Sequence, residues 1–341
     1  MFNLPKQINI DINSFSNLFK NTHTSYKYLF FQAILVLLKE YSFTKSNFTF
    51  LEIEEEMLKI AEYPIKIYKL NFGKDDRISI KLYNKYENID LLKFVPYRLL
   101  SPFFTEKLKG LSNSAINKKI ELLSHQENEY GYNSLYKIDN KTITIYDEWI
   151  KYIAYNFSII ESWSFWNWAN FLQNKNPNTL SLINKLQKTT DRVSLNKQTK
   201  YWKTILNKEN IRCIYSGEII TPETFSLDHF LPWSFIGHDK LWNLIPMRKN
   251  DNSSKSDNIP SINKYLENFI ETQYYGLQIA YNEMGKTKWE NSITDFIDDF
   301  KIDYTDIRSI KIDKFSYKYK DVIIPLFNLA KNSDFNYDWE Y

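Results

Sequence analysis

The sequence predicts an α+β protein that is mainly helical, in which a short segment of strands and one helix follows a mostly α-helical N-terminal domain. Before residue 175, several stretches carry apolar residues at helical spacing. Leu135–Ile145 instead carries alternating β-branched residues, which is typical of a hairpin. Arg212–Pro260 is rich in Asn, Asp, Ser and Pro and has only short apolar runs. The 341 residues are enough for two domains, or for one large domain with an added module.

The first predicted helix begins at Thr24 and Ser25, which can cap it, and runs to about Tyr41. Its apolar residues are spread widely enough around the axis for the helix to be buried on most sides. The other elements predicted for the N-terminal domain are a helix at Phe48–Ala61 that ends before Pro64, strands at Ile65–Phe72 and Ile78–Tyr83, a hairpin at Leu135–Ile145 that turns at Asp139–Asn140, and a long aromatic helix at Tyr146–Gln173.

Positive charge is concentrated in one stretch, although the formal net charge is only +3. Residues 171–212 contain nine basic side chains and two acidic ones. Two short amphipathic helices are predicted there, at Thr179–Gln187 and Lys197–Leu206. The stretch is either a solvated helical surface or a surface that grips a phosphate backbone. A further helix is predicted from Ile262 to about Tyr281.

Several classes of protein are excluded or disfavoured by composition. The single cysteine, Cys213, excludes an intrachain disulfide and a zinc site built from several cysteines. No P-loop or G-x-G-x-x-G motif occurs. The longest apolar run, Tyr28–Leu38, is shorter than the roughly 20 residues that span a bilayer. The N-terminus lacks the apolar core of a signal peptide, so we expect a cytoplasmic protein without a membrane partner.

Arg212–Pro260 carries the residues best suited to chemistry. A strand is predicted at Ser226–Pro232, with Asp228 and His229 side by side, then a second apolar run at Leu241–Met247, then a polar helix at Asn250–Asp257. So short a segment cannot build its own core, and it must pack on the rest of the chain or bind a metal. Its polar residues are therefore expected to serve function.

The residue types indicate a metal-assisted reaction on phosphate. Asp and Asn oxygens, such as those of Asp228 and Asn252, suit Mg²⁺ or Mn²⁺. His229 beside a metal ligand suits a general base at neutral pH. Lys255, one helical turn from Asn252, suits a phosphate contact.

The segment resembles the HNH, or ββα-metal, nuclease family, and most of all the HNH domain of CRISPR-associated RNA-guided effector nucleases. The pattern D-H-x-x-P-x-S-F occurs at residues 228–235, followed by Asp239, by Asn243 and by N-x-x-K-S-D-N-x-P-S at residues 252–261. Residues 213–217, C-I-Y-S-G, resemble the segment that precedes the motif in many such domains. The resemblance covers about 50 residues, and the rest of the chain does not resemble those large effectors.

The resemblance implies a ββα-metal HNH module at residues 196–265, between an N-terminal recognition or partner-binding domain at residues 1–195 and a helical C-terminal segment at residues 266–341. It implies that Asp228 and Asn252 bind one Mg²⁺ (or Mn²⁺) without any structural zinc, and that His229 is the general base. Asn243 would orient His229 or fix the loop, and Lys255 would contact a phosphate. The products would be a 5′ phosphate and a 3′ hydroxyl.

Three functions follow as hypotheses. The first is a DNA endonuclease in bacterial anti-phage defence or restriction. The second is a nuclease subunit that is active only with a sensor or ATPase partner from the same defence operon. The third is a non-catalytic nucleic-acid-binding protein. RNA as the substrate, the target sequence and the oligomeric state are left open by the sequence.

Overall fold

The computed structural model describes residues 4–84, 89–127, 131–187, 194–333 and 335–341. Within these residues the chain is mainly helical and carries two small antiparallel sheets, which confirms the predicted α+β class. The chain divides into two compact units. The first comprises residues 1–177 and 185–188, and the second comprises residues 178–184 and 189–341.

The first unit is a helical body with a three-stranded sheet in the order β1-β3-β2. Its helices are α1 (Ile12–Ser16), α2 (Tyr26–Glu40), α3 (Phe50–Lys66), α4 (Ile78–Tyr83), α5 (Val95–Leu99), α6 (Asn113–Leu123), α7 (Asp147–Tyr155) and α8 (Phe157–Lys175), and its strands are β1 (Asn47–Thr49), β2 (Tyr136–Asp139) and β3 (Thr142–Ile145). Short 3-10 turns lie at Ser101–Phe104 and Glu106–Leu108. Helix α2 packs against α3 and α8, and most of its apolar residues are buried, as predicted.

The predicted hairpin is confirmed, with Ile138 opposite Ile143. The predicted strands at Ile65–Phe72 and Ile78–Tyr83 are wrong, because the first range completes α3 and continues without strand structure and the second range is helix α4. Six residues with alternating isoleucines are too few to separate a period of 2 from a period of 3.6.

Three helix boundaries also differ from those predicted. Helix α3 begins later, at Phe50, because Thr49 and Glu52 form a capping box. It continues past Pro64, which lacks the N–H of one helical hydrogen bond, and ends two residues later at Lys66. The long aromatic helix is two helices, because it breaks at Asn156, whose side-chain amide donates to the carbonyl of Tyr152.

The second unit surrounds a two-stranded sheet with helices. Its strands are β4 (Phe225–His229) and β5 (Leu244–Arg248), and its helices are α9 (Asn196–Leu206), α10 (Trp233–Ile236), α11 (Lys249–Lys255), α12 (Ile262–Met284), α13 (Lys286–Ser292), α14 (Thr294–Phe300), α15 (Tyr304–Ser309) and α16 (Ile312–Lys331). The helix predicted at Thr179–Gln187 is wrong, since only a 3-10 turn forms there, at Leu182–Lys185, whereas α9 confirms the helix predicted at Lys197–Leu206.

Helices α9 and α12 anchor the start of β5. The indole N–H of Trp202 and the amide of Gln273 both donate to the carbonyl of Leu244, at 3.2 and 2.7 Å. Gly276 permits this close approach, because a Cβ atom there would lie 3.1 Å from the Trp202 ring. The ring of Phe230, which directly follows β4, stacks on Phe269 of α12 with centroids 4.1 Å apart. Both strands are therefore fixed against the helical body of their own unit.

None of the helices in the described part of the chain combines the length and the hydropathy needed to cross a lipid bilayer.

Candidate active site

Strands β4 and β5 are antiparallel, with Asp228 opposite Ile245, and α11 follows β5 without a connecting loop. Helix α11 packs against β4. Residues two apart in a strand share a face, so Ser226 and Asp228 point to the same side of β4. Residues three apart in a helix also share a face, and Asn252 and Lys255 of α11 meet those two strand residues.

Asp228 is buried, with 4% of its surface exposed, and both of its carboxylate oxygens accept hydrogen bonds. Oδ1 accepts from Lys255 Nζ at 3.1 Å, and Oδ2 accepts from the Tyr215 hydroxyl at 3.1 Å. Burial raises the pKa of Asp228 from its ordinary value, and the Lys255 ammonium opposes that rise. Burial also raises the pKa of Tyr215 well above its usual range, so that this hydroxyl remains a donor.

Lys255 lies inside the protein and has no exposed surface. Its ammonium group donates to Asp228 Oδ1 and, at 2.8 Å, to the carbonyl oxygen of His229. Sequence spacing predicts a phosphate contact for this lysine, whereas the structure places it behind Asp228, where it holds the carboxylate and the end of β4. Lys255 is therefore not one of the solvent-exposed side chains of α11.

Asn252 is half-buried on the first turn of α11. Its amide nitrogen donates to the Ser226 hydroxyl at 3.3 Å. Within the described part of the chain its amide oxygen accepts no hydrogen bond, so this oxygen is free to act as a ligand.

His229 ends β4, and its ring is paired with a carboxylate. Nε2 lies 2.8 Å from Asp239 Oδ1, and the two side chains are 10% and 18% exposed. A carboxylate only accepts hydrogen bonds, so Nε2 carries the hydrogen of the neutral ring and Nδ1 keeps its lone pair. Asp239 is a functional candidate to which sequence reasoning assigned no role. Its place in the loop of the motif was the available signal.

Asn243 has no exposed surface and fixes the chain that follows β4. Its amide oxygen accepts from the Leu231 N–H at 2.9 Å, and its amide nitrogen donates to the Leu231 carbonyl at 2.8 Å. The backbone of Asn243 also accepts from the N–H of Phe230. Of the two roles expected for Asn243, the structure places it against the loop and not against the His229 ring.

A second polar cluster holds the start of α11. The buried carboxylate of Asp251 accepts from Arg248 at 2.9 and 3.0 Å and from the Ser216 hydroxyl at 2.7 Å. Burial raises the pKa of Asp251, but these hydrogen bonds outweigh it, so the pKa lies below its usual range. Tyr215 and Ser216 belong to the C-I-Y-S-G turn, which thus contacts both Asp228 and α11.

In the basic stretch at residues 171–212, some of the described basic side chains are exposed and others are buried. On α9, Lys197, Lys200 and Lys203 are exposed, while Tyr201 and Trp202 on the opposite face are buried. Lys185 is buried in the first unit, and burial lowers its pKa to about 8. Two further members, at positions 188 and 192, lie outside the described residues.

His238 lies in the same loop as Asp239, and its Nδ1 accepts from the Lys240 N–H at 3.4 Å. Its ring packs edge-on against Trp242, with centroids 5.3 Å apart. Burial, reinforced by Lys240, lowers the pKa of His238 to about 4, so the ring is neutral at physiological pH.

The donor set fits a hard divalent cation. No cluster of three or more His, Cys, Asp or Glu side chains suited to a metal occurs in the part of the chain that the structure describes. The oxygens at this site are one carboxylate, of Asp228, and one amide, of Asn252, which Mg²⁺ and Mn²⁺ accept together with water and substrate oxygens. Each Asp228 oxygen accepts one hydrogen bond and has a second lone pair for a cation.

Comparison with known families supports a nuclease. Residues 213–261 match the model of a family described as HNH endonuclease. Neither a curated protein nor a solved structure matches the chain. The matched segment contains β4, β5, α11 and every site residue predicted from the sequence. The resemblance of this segment to HNH nucleases is thereby confirmed, and its closer likeness to the CRISPR-associated effectors stays a prediction.

Proposed function

We propose that this chain is a divalent-metal-dependent HNH endonuclease that hydrolyses DNA and leaves 5′-phosphate and 3′-hydroxyl ends. One observation carries the proposal above the others. At the end of β4, His229 directly follows Asp228, and its ring nitrogen Nδ1 has no hydrogen-bond partner among the described residues. Asn252 of α11 lies against the same face of β4 as Asp228, where it bonds to Ser226. These residues lie inside the segment that matches HNH endonucleases.

His229 is the general base of the proposed reaction. Its Nδ1 accepts a proton from the attacking water, while Asp239 holds Nε2–H and stabilises the positive ring that forms. Asp239 is thus a positioning residue that acts through His229. A base whose ring is fixed in this way loses little orientational freedom in the transition state.

Asp228 and Asn252 would hold the divalent cation through their oxygens. A cation bound there supplies charge neutralisation at the phosphate and at the departing oxygen. Lys255 and Tyr215 keep the Asp228 carboxylate in one orientation, and Asn243 keeps the following loop in place. We propose that Lys255 acts through Asp228, since its ammonium group is not accessible to a phosphate.

The exposed lysines of α9 are proposed to contact the DNA backbone. Lys197, Lys200 and Lys203 lie on the solvent face of a helix that packs against β5. Contacts of this kind give affinity without sequence selection and weaken as salt rises.

The test is cleavage of supercoiled plasmid by the purified chain with Mg²⁺ or Mn²⁺. We expect relaxed or linear product with the metal and none with EDTA. His229→Ala should lower the cleavage rate by on the order of 10²–10⁴-fold while its circular dichroism spectrum stays unchanged. The matched control is His125→Ala in the first unit, whose ring is 37% exposed, and it should cleave at the normal rate.

Equal cleavage by His229→Ala and by the unaltered chain would overturn the assignment. Labelled single-stranded and double-stranded DNA and RNA of one sequence, offered in parallel, test the proposed preference for DNA. End-labelling of the products with a kinase that requires a 5′ hydroxyl tests the proposed ends, since a 5′ phosphate blocks it.

Anti-phage defence or restriction is the proposed setting, and it rests on the resemblance of the HNH segment to defence nucleases. A plaque assay with the unaltered gene and with His229→Ala tests it. Activity that appears only after a co-encoded sensor or ATPase is added would favour the nuclease subunit of a complex. Nucleic-acid binding without cleavage under both conditions would favour a non-catalytic protein.

A further inference from the structure

The first unit contains a cavity of about 1010 Å³, and the charged residues that line it in the described part of the chain are basic. We propose that this cavity, here called the basic cavity, binds a phosphate-bearing ligand. Its cations are Lys20, Lys27, Arg98 and Lys109, and the side-chain amides of several asparagines lie among them. All of these residues belong to the first unit, and none belongs to the segment that matches HNH endonucleases.

The cations of the basic cavity are poorly neutralised. Among the residues that the structure describes, no Asp or Glu lines the cavity. Lys109 forms an exposed ion pair with Glu106 at 2.5 Å. Lys27 and Arg98, in contrast, have no carboxylate partner in the part of the chain that the structure describes. Two cations that line one cavity without a carboxylate partner attract anions from solution.

The Arg98 guanidinium also disfavours the charged form of Lys27. Burial lowers the pKa of Lys27, and the Arg98 guanidinium lowers it further. Burial likewise lowers the pKa of Arg98. The fold thus holds two like charges close enough to repel, in a place where water screens them incompletely. A bound anion would offset both the cost of burying these two charges and the repulsion between them.

Hydrogen-bond donors remain for a ligand. Arg98 Nε donates to Asn117 Oδ1 at 3.0 Å and Nη2 donates to the Asn113 carbonyl at 2.9 Å, which fixes the guanidinium and leaves Nη1 without a partner among the described residues. Among the described residues, Lys27 Nζ donates to the Lys20 carbonyl alone, at 3.3 Å. An arginine held by neutral oxygens with one free terminal nitrogen is suited to phosphate oxygens.

The volume suits a ligand of nucleotide size or a short stretch of nucleic-acid backbone. Both sources present the same chemistry, a phosphate with several acceptor oxygens. The binding experiment therefore uses inorganic tripolyphosphate first, because it carries that chemistry alone. ATP and a single-stranded DNA 12-mer then distinguish the sources.

Calorimetric titration of the full chain in EDTA is the test, since EDTA removes the divalent cation from the proposed HNH site. Tripolyphosphate should bind at one site, and Lys27→Gln should weaken it on the order of tenfold, the effect of one lost charge-assisted hydrogen bond. Lys27→Gln/Arg98→Gln should abolish it. Lys27→Gln alone keeps the Arg98 hydrogen bonds, so it remains informative if the double variant does not fold.

The matched control is Lys74→Gln/Lys151→Gln, which removes two exposed cations of the same unit from outside the cavity. It should bind tripolyphosphate as the unaltered chain does, and so should His229→Ala, whatever its nuclease activity. Weakening of ATP alone in the cavity variants identifies a free nucleotide, and parallel weakening of the 12-mer identifies nucleic-acid backbone. Absence of tripolyphosphate binding, or equal weakening by the control variant, overturns the proposal.

Discussion

Replacing Lys255 by methionine tests the core of the site. The ammonium group of Lys255 is wholly buried and donates to the Asp228 carboxylate at 3.1 Å and to the His229 carbonyl at 2.8 Å. Methionine fills a similar volume, so the substitution removes the charge and both hydrogen bonds while leaving little empty space. Asp228 would then be a buried carboxylate that keeps only its Tyr215 hydrogen bond.

Loss of one member of a buried ion pair typically lowers the free energy of unfolding by about 3–5 kcal/mol, because the remaining charge is uncompensated. With a urea slope of about 2 kcal/mol per M, the midpoint of the affected transition should fall by roughly 1.5–2.5 M. The chain has two compact units, so we expect Lys255→Met to shift the unfolding of the second unit only.

The loss in free energy of unfolding caused by Lys255→Met should depend on pH, because Asp228 titrates. Burial raises the pKa of this group in the folded state above its ordinary value of 3.8, so the folded state holds the proton more tightly than the unfolded chain does. Stability therefore falls as pH rises from the unfolded pKa to the folded pKa, and it is constant above that interval. Lys255→Met raises the folded-state pKa of Asp228 further, because it removes the ammonium group that opposes the rise. The free energy of unfolding lost in this variant should therefore be smaller at about pH 5 than at about pH 8.

The assay is urea unfolding followed by circular dichroism, with Lys249→Met as the control. Lys249 is an exposed lysine at the other end of α11, and its replacement should change the free energy of unfolding by less than about 0.5 kcal/mol. Adding Asp228→Asn to Lys255→Met should restore part of the lost stability, since it removes the buried carboxylate that has no ion-pair partner. Equal stability of Lys255→Met and Lys249→Met, or a deeper loss in the double variant, would contradict a stabilising ion pair between Lys255 and Asp228.

Three further outcomes are expected. Asp239→Asn should lower kcat on plasmid by roughly 10–100-fold with little change in KM, because it removes the negative charge that stabilises the positive His229 ring in the transition state. A rise in KM with unchanged kcat would speak against a positioning role. Asn243→Ala should lower the free energy of unfolding by about 1–3 kcal/mol in a urea titration, because it leaves the buried N–H and carbonyl of Leu231 unpaired. A loss under about 0.5 kcal/mol would contradict this. Burial holds the pKa of His238 at about 4 in the folded chain, against 6.5 in the unfolded chain, so stability should fall as pH drops from 6.5 to about 4. His238→Gln should make the urea midpoint less dependent on pH in that window. An unchanged dependence would mean that other groups cause it.

Much of the site was predictable because its residues lie close together in sequence. Asp228, His229, Asn243, Asn252 and Lys255 fall within 28 residues, and each is a side-chain type that phosphodiester hydrolysis can use. The same holds for the hairpin of the first unit, where a turn and an alternating pattern are local signals. Prediction failed where the signal was short, as at Ile78–Tyr83, since six residues fit a strand and a helix equally well.

The residue types of the site and their order along the chain can be read from the sequence alone, since metal binding and proton transfer need particular side-chain atoms. Which of these residues contact one another depends on how the elements pack. The tertiary structure paired Asp239 with His229, turned Lys255 inward onto Asp228 and gathered Lys27 and Arg98 around one cavity. Spacing fixes the face of a strand or helix on which a side chain stands, but the packing of other elements fixes what that face touches and whether water reaches it.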